Sequence, residues 1–119
     1  MRRALWLILP LVIATGCLAR WPDPLSIQAR NAQTPRQHRV VADAYRERAQ
    51  QYRTESGEHA KLAEWWGSLA GGDLPATGTG RFESAQHCRR LSQYLAAAAE
   101  EAETLAREHQ AIADRWEGR

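Results

Sequence analysis

Histidine and cysteine are the residues of this 119-residue sequence that are best suited to chemistry. His59, His87 and the neighbouring Cys88 offer two imidazoles and a thiol. His38 and His109 offer a second, smaller set. Neutral imidazole and thiolate bind copper and zinc, and a dimer can complete a four-coordinate site. These five side chains are therefore candidate metal ligands, provided that the fold brings them together.

A second interpretation needs no metal. Histidines between two helices are often half-buried polar residues paired with Glu or Tyr, and a Glu directly precedes both His59 and His109. Cys88 can cross-link a dimer, stay buried or bind metal, and the sequence leaves these three roles undecided. Nucleophile-elbow, phosphate-loop, dinucleotide-binding and CxxCH patterns are missing from the sequence. We therefore expect no enzymatic activity and no covalently attached haem.

Two predicted helices must position these residues. Thr34-Pro35-Arg36-Gln37 is a capping box with proline at the first helical position, which predicts a helix over about 35–66. Gly67 is expected to end that helix in a left-handed conformation. Residues 67–80 are rich in glycine and predict a loop, and a second helix is expected over about 82–117.

The two predicted helices resemble each other, which indicates an internal duplication. Each carries His, Tyr, His and Trp in the same order. The matched pairs are His38 and His87, Tyr45 and Tyr94, His59 and His109, and Trp66 and Trp116. The first two pairs are separated by 49 residues and the last two by 50, so one residue has been gained between the blocks.

Each predicted helix also carries a stripe at spacings of three and four residues, which is typical of a coiled coil. The expected stripes are His38, Val41, Tyr45, Ala49, Tyr52, Ser56, His59, Ala63 and Trp66, and then His87, Leu91, Tyr94, Ala98, Ala102, Leu105, His109, Ile112 and Trp116. If the chain folds back at the loop centre, facing residues have numbers that sum to about 147. That register places His38 opposite His109, and His59 near His87 and Cys88.

The predicted fold is all-α: an antiparallel, coiled-coil-like two-helix hairpin. Residues 17–119 contain only thirteen Val, Ile, Leu, Phe and Met side chains, too few for a sandwich, a barrel or a doubly wound sheet. So small an aliphatic surface barely offsets the entropy lost in ordering two helices. We therefore expect hairpins to associate into a four-helix bundle.

The first sixteen residues have the features of a cleaved signal peptide. A basic start at Arg2 and Arg3 precedes an apolar stretch over 4–13, which is too short to span a bilayer. Ala14-Thr15-Gly16-Cys17 follows, and this stretch resembles the lipobox of a bacterial lipoprotein. The resemblance covers about the first 18 residues, and Ala14 stands where the family usually has Leu.

The lipoprotein resemblance implies cleavage between Gly16 and Cys17, a diacylglyceryl thioether on the Cys17 sulfur, and acylation of the new amino terminus. Acyl chains anchor a protein because each buried methylene contributes about 0.8 kcal/mol. Leu18 replaces the Asp that tends to retain such lipoproteins in the inner membrane, so the periplasmic face of the outer membrane is the expected location. Residues 17–33 are expected to be the lipidated cysteine and a flexible tether.

Charge argues against nucleic-acid binding. The whole chain has a formal net charge of +2, but Arg2 and Arg3 leave with the signal peptide, so residues 17–119 are neutral. A neutral chain lacks the basic field that holds a phosphate backbone. The sequence therefore predicts a membrane-anchored envelope lipoprotein whose helical part, residues 34–119, is a non-catalytic structural or interaction module. A second copy or another envelope protein is the expected partner. The alternative is a periplasmic lipoprotein that binds copper or zinc through the paired histidines and Cys88.

Overall fold

A computed structural model describes residues 23–70 and 79–118. These residues form three helices, α1 (Pro24–Asn31), α2 (Pro35–Ala70) and α3 (Thr79–Glu117), and contain no strand. Helix α2 packs along α3 in the opposite direction. The predicted all-α fold and helical hairpin are confirmed. The expected signal peptide over 1–16 and the expected lipidation at Cys17 lie outside the described residues.

No helix within the described ranges is both long enough and apolar enough to cross a membrane. The single chain is a hairpin with one additional short helix. Association of hairpins into a four-helix bundle is a property of an assembly and remains a proposal.

Helix α2 begins where the capping box predicts. The Thr34 hydroxyl accepts a hydrogen bond from the backbone N–H of Gln37 at 3.2 Å. The Gln37 side chain accepts from the backbone N–H of Gln33 at 2.8 Å, one residue before the cap. The side chains of Thr34 and Gln37 therefore fix the direction in which the chain enters α2.

Both long helices extend further toward the loop than the sequence predicts. Helix α2 continues through Gly67 to Ala70, and α3 already begins at Thr79. The prediction that Gly67 ends its helix is wrong, since no described glycine has a positive φ. A Cβ at position 67 would lie 3.5 Å from Nη2 of Arg89, so Gly67 lies where the Arg89 side chain of α3 approaches α2.

A short docked helix occupies part of the segment that the sequence assigned to a flexible tether. Asp23 caps α1: its carboxylate accepts from the N–H of Ser26 at 3.3 Å, and its carbonyl accepts from the Ser26 hydroxyl at 2.7 Å. Pro24 takes the first helical position, where its missing N–H removes no helical hydrogen bond. Leu25 is buried against the hairpin. The expectation of a flexible tether is therefore corrected for Pro24–Asn31, because a cap and an apolar anchor suffice for two helical turns.

Small side chains fill the seam between α2 and α3. The buried alanines are Ala42, Ala49, Ala63, Ala85, Ala99, Ala102, Ala106 and Ala113. Val41 is the largest side chain that is fully buried within the described ranges. The Ser56 hydroxyl donates to the carbonyl of Ser92 at 2.9 Å, in agreement with a register sum near 147. Alanine allows two backbones to approach closely but buries little area, so the hairpin has a thin core.

The first half of α3 differs from its predicted stripe. Its buried and half-buried positions follow the heptad Ala85, Cys88, Ser92, Leu95 and Ala99. The predicted seam positions of His87 and Tyr94 are wrong, since His87 is exposed and Tyr94 is 71% exposed. The change in offset between the matching blocks, from 49 to 50 residues, accounts for the difference. One residue turns a helix by about 100°, which moves the whole earlier block off the seam.

Candidate functional site

The two histidines at the tether end of the hairpin, where α2 begins and α3 ends, lie in direct contact as predicted. Nδ1 of His38 lies 2.8 Å from Nδ1 of His109, and the ring centroids are 5.1 Å apart. The centroid distance exceeds the nitrogen distance by about two ring radii, which is possible only if both nitrogens lie close to the line between the ring centres. Each Nδ1 therefore points toward the other ring. This is the geometry of an N–H···N hydrogen bond, in which one imidazole donates and the other accepts.

Aromatic rings enclose this histidine pair. Trp116 meets His38 edge-on with centroids 5.5 Å apart, and Tyr45 stacks on His109 at 6.0 Å. Burial lowers the pKa of His109, and the neighbouring His38 lowers it further, while Glu108 opposes both effects. The surroundings therefore favour a neutral His109.

The contact between His38 and His109 has a consequence for metal binding. One metal ion bound by both rings requires lone pairs that converge on a point beside the line between the nitrogens. In the structure the two nitrogens point along that line. Within residues 23–70 and 79–118, no three His, Cys, Asp or Glu side chains lie close enough together to hold a metal ion. Metal binding by this pair would therefore require both rings to rotate and further ligands to be supplied.

The candidate ligands at the loop end are brought together only in part. Cys88 is buried on the seam, and the register places it in the same layer as His59. Nδ1 of His59 is buried without a hydrogen-bond partner. His87 is exposed and borders an open cavity of about 420 Å³ that Trp66 and Cys88 also line. His59 and Cys88 thus share a layer of the seam, and His87 lies outside it.

One long face of the hairpin is polar. Its α2 residues recur every seven positions, as do the α3 residues that they contact. The pairs are Arg39 with Glu117, Arg46 with Gln110 at 3.3 Å, and Arg53 with Glu103 at 3.0 Å. Exposed ion pairs of this kind contribute about 0–1 kcal/mol each, so this face specifies register more than it stabilises the fold.

The opposite long face is apolar, and α1 covers the half of it nearer the tether end. Leu25 packs in one cluster with Val41 and Tyr45 of α2, and with Ala102 and Ala106 of α3. Further apolar side chains pack against the cluster, namely Ala29, Ala32, Ala44 and Leu105. The tether half of the hairpin therefore has a second layer over its thin seam.

The heptad positions that form this apolar face continue into the half of the hairpin nearer the loop, which we call the loop half. Leu62 lies three heptads after Val41, and Trp65 lies three heptads after Ala44. Leu62 is 44% exposed and Trp65 is 54% exposed. On α3, half-buried Leu91 lies two heptads before Leu105 and has the exposed Tyr94 one turn away. We call the surface formed by Leu62, Trp65, Leu91 and Tyr94 the open face.

An ion pair fixes the start of α1 over the middle of α2. Arg48 donates to both carboxylate oxygens of Asp23, at 2.5 and 3.1 Å. These hydrogen bonds lower the pKa of Asp23 and raise that of Arg48. Burial, helped by the Asp23 charge, raises the pKa of the neighbouring Tyr45. The point at which the preceding chain joins the fold is therefore defined by side chains.

Sequence reasoning found the histidine pair and missed two features of the site. The dipeptide Asp23-Pro24 is a helix-start signal that could have revealed α1. The open face has no such local signal, because Leu62 and Leu91 come together only when the heptads of both helices are aligned. Comparison with known proteins found no matching family model, curated protein or solved structure. The function must therefore be inferred from the surfaces of this chain.

Proposed function

We propose that this protein is a small lipoprotein of the bacterial envelope whose hairpin is a non-catalytic interaction module. In this proposal Cys17 carries the lipid anchor in the outer membrane and the helices lie in the periplasm. The open face is the observation that supports an interaction role, because it leaves Leu62, Trp65 and Tyr94 in contact with water. Apolar patches that continue a covered face are typical of association sites.

The position of α1 limits where the hairpin can lie relative to such an anchor. Five residues lie between Cys17 and Asp23, so the Cα atoms of these two residues are at most about 20 Å apart. Asp23 is bound to Arg48, near the middle of α2. The anchor would therefore hold the middle of the hairpin close to the bilayer. A module held in this way meets partners anchored in the same membrane at a high effective concentration.

Mass spectrometry of the protein extracted from membranes tests the anchor. The proposal expects an acylated Cys17 at the amino terminus and the absence of residues 1–16. The variant Cys17→Ser should leave the membrane fraction. An unmodified Cys17, or a membrane-extracted protein that retains Met1, would contradict the anchor.

Site-specific photo-cross-linking in cells tests the interaction role. A photoreactive amino acid in place of Trp65 should trap one defined partner, either an envelope protein or a second copy. The matched control places the same group at Gln50, which is exposed and lies away from the open face. Equal capture at both positions would contradict an interaction role for the open face.

Copper or zinc binding is a second candidate function, favoured by one observation. Nδ1 of His59 is buried without a partner in the layer that contains Cys88, and a second chain could add ligands there. Calorimetric titration of copper and zinc into chelator-free protein tests this function. The affinity should rise with pH, because metal ions compete with protons for imidazole and thiolate ligands. Binding that is unchanged in the His59→Ala, His87→Ala double variant would contradict a metal site at these histidines.

A further inference from the structure

We propose that the open face binds the open face of a second copy of this chain. This inference rests on the proposed interaction role and identifies its partner. Three observations support it: the way in which α1 covers the other half of the face, the register of the contacts between α2 and α3, and the area of the open face.

Helix α1 shows what this apolar face requires. Over the tether half, α1 supplies Leu25 to the rows that contain Val41 and Leu105. Over the loop half the same rows continue through Leu62 and Leu91, and none of the described helices lies over them. The buried residues of the seam beneath are small, since Ala63, Ala85 and Cys88 are its most buried side chains. The loop half therefore gains most from a covering helix, and a second hairpin supplies two.

The contacts within the hairpin show which residues two copies would bring together. Side chains that flank the seam on α2 and α3 meet when their numbers sum to about 156, as for Arg46 with Gln110 and Arg53 with Glu103. These sums are larger than the value of about 147 for residues that face each other across the seam. Side chains lean toward the start of their own helix, so in an antiparallel pair two flanking side chains meet only when both residues lie further along their helices. On the open face, Leu62 with Tyr94 and Trp65 with Leu91 both sum to 156.

A two-fold axis parallel to the hairpin places α2 of one copy beside α3 of its partner, antiparallel and at the same level. Leu62 then meets the partner's Tyr94, and Trp65 meets the partner's Leu91. This isologous arrangement repeats between chains the helix pairing that already exists within each chain. It also places Asp23, where the anchor segment joins the fold, at the same level in both copies, as two proteins anchored in one membrane require.

The exposed area approaches what a stable dimer needs. Large aromatic side chains bury roughly 150–250 Å² each, so the exposed parts of Leu62, Trp65 and Tyr94 amount to about 350 Å² per copy. Two copies would remove about 700 Å² of apolar surface, compared with about 900 Å² in an interface of standard size. Helix α1 confines the pairing to the loop halves, because it already covers the tether half of the face.

Disulfide cross-linking between single-cysteine variants tests this arrangement in the whole lipidated protein. The variants Leu62→Cys and Tyr94→Cys, each with Cys88→Ala, are mixed in phospholipid vesicles, and a size tag on one distinguishes the products. The mixed 62–94 product should form at least tenfold faster than the 62–62 and 94–94 products. Mixed Gln50→Cys and Gln93→Cys proteins, whose sites are exposed away from the open face, are the control and should form no excess product.

Energy transfer between fluorescently labelled copies in the same vesicles gives a second measurement that needs no new cysteine on the open face. Trp65→Ala should reduce the associated fraction at least fivefold. Val40→Ala, which truncates an equally exposed apolar residue of the tether half, should leave it unchanged. Circular dichroism confirms that each variant remains helical.

The outcomes separate this inference from the proposed function. Preferential 62–94 cross-linking that Trp65→Ala removes supports the second copy. Monomeric protein together with photo-cross-linking of Trp65 to a different protein overturns the second copy and leaves the interaction role standing. Monomeric protein whose tryptophan fluorescence is quenched by brominated lipid, with less quenching in Trp65→Phe, overturns both, because the face would then bind the bilayer.

Discussion

The tether half and the loop half of the hairpin share a seam of small residues and differ in what covers it. In the tether half, α1 lays Leu25 over the seam, and the His38–His109 pair closes the end between Trp116 and Tyr45. In the loop half, Leu62 and Trp65 occupy the equivalent rows and remain exposed. The first half therefore contains its own cover, while the second leaves its apolar side chains exposed, and in our proposal a partner covers them.

The comparison also shows that matching residues of the two long helices have different surroundings. Tyr45 is buried and contacts the histidine pair, whereas its repeat, Tyr94, is 71% exposed. His38 is buried and its repeat, His87, is exposed. The offset between the matching blocks changes from 49 to 50 residues, so the first block of α3 lies off the seam. The surface of the loop half thus received residue types that the tether half uses internally.

Removal of the α1 anchor should produce the largest change, and it should be confined to the tether half. Leu25→Ala removes a buried side chain over a seam that has little else, which should lower the free energy of unfolding by about 2–4 kcal/mol. Ile27→Ala on the same helix is the matched control, because Ile27 is 41% exposed. Urea unfolding followed by circular dichroism gives both values. Equal effects of the two variants would contradict the docking of α1 through Leu25.

Breaking the histidine pair should rank second. His38→Ala leaves Nδ1 of His109 without its partner in a half-buried site, which should cost about 1–3 kcal/mol of unfolding free energy. His87→Ala removes the exposed repeat of the same residue and should change stability by at most about 0.5 kcal/mol. Urea unfolding of the two variants measures the difference. A cost at His87 as large as that at His38 would place both repeats on the seam.

The cap and the ion pair of α1 can be separated at one residue. Asp23→Asn retains a good helix cap and loses the charge paired with Arg48, so it should cost about 0.5 kcal/mol. Asp23→Ala loses both and should cost about 1–2 kcal/mol. Thermal unfolding of the two variants gives the order. If Asn were as damaging as Ala, the ion pair rather than the cap would hold α1 in place.

Acid should weaken the tether half by a smaller amount. The lowered pKa of His109 means that, below about pH 6.5, the unfolded chain binds more protons than the folded chain. The contribution of the pair is therefore complete above that pH and is lost as the pH falls below it. Between about pH 7.5 and pH 5, the Tm of the wild type should fall more than that of His109→Gln. The exposed-site control His87→Gln should follow the wild type, and parallel curves for all three would assign the pH dependence to other groups.

The parts of the fold that the sequence predicts are those encoded locally or by long repetition. The capping box at Thr34 predicts the start of α2, and the stripe through His38 and Ala63 predicts its buried side. The contact of His38 with His109 follows from the register of an antiparallel hairpin. The position of the loop alone determines that register. Each of these features follows either from residues within one helix or from the rule that pairs residues in an antiparallel hairpin.

The remaining features depend on the relation between elements. The side of α3 that faces α2 in its first half depends on which of two stripes, one residue apart, packs better against α2. The repeat pattern favoured the wrong stripe, the one that contains His87. Helix α1 is too short to show a period, and it is held in place by its cap and by contacts with the hairpin, chiefly the burial of Leu25. The open face can be recognised only when the positions of α1, α2 and α3 are all known, because it is the part of a continuous apolar surface that α1 does not cover.

Hydrogen–deuterium exchange of the whole lipidated protein in vesicles tests most directly whether the loop half depends on a partner. Exchange is measured at high and low protein density in the membrane and compared along α2. We predict that amides over 55–66 are protected in proportion to density, while those over 38–52 keep the same protection at both densities. Protection over 55–66 that is independent of density and equal to that of the tether half would contradict the account, since the loop half would then be stable without a second copy.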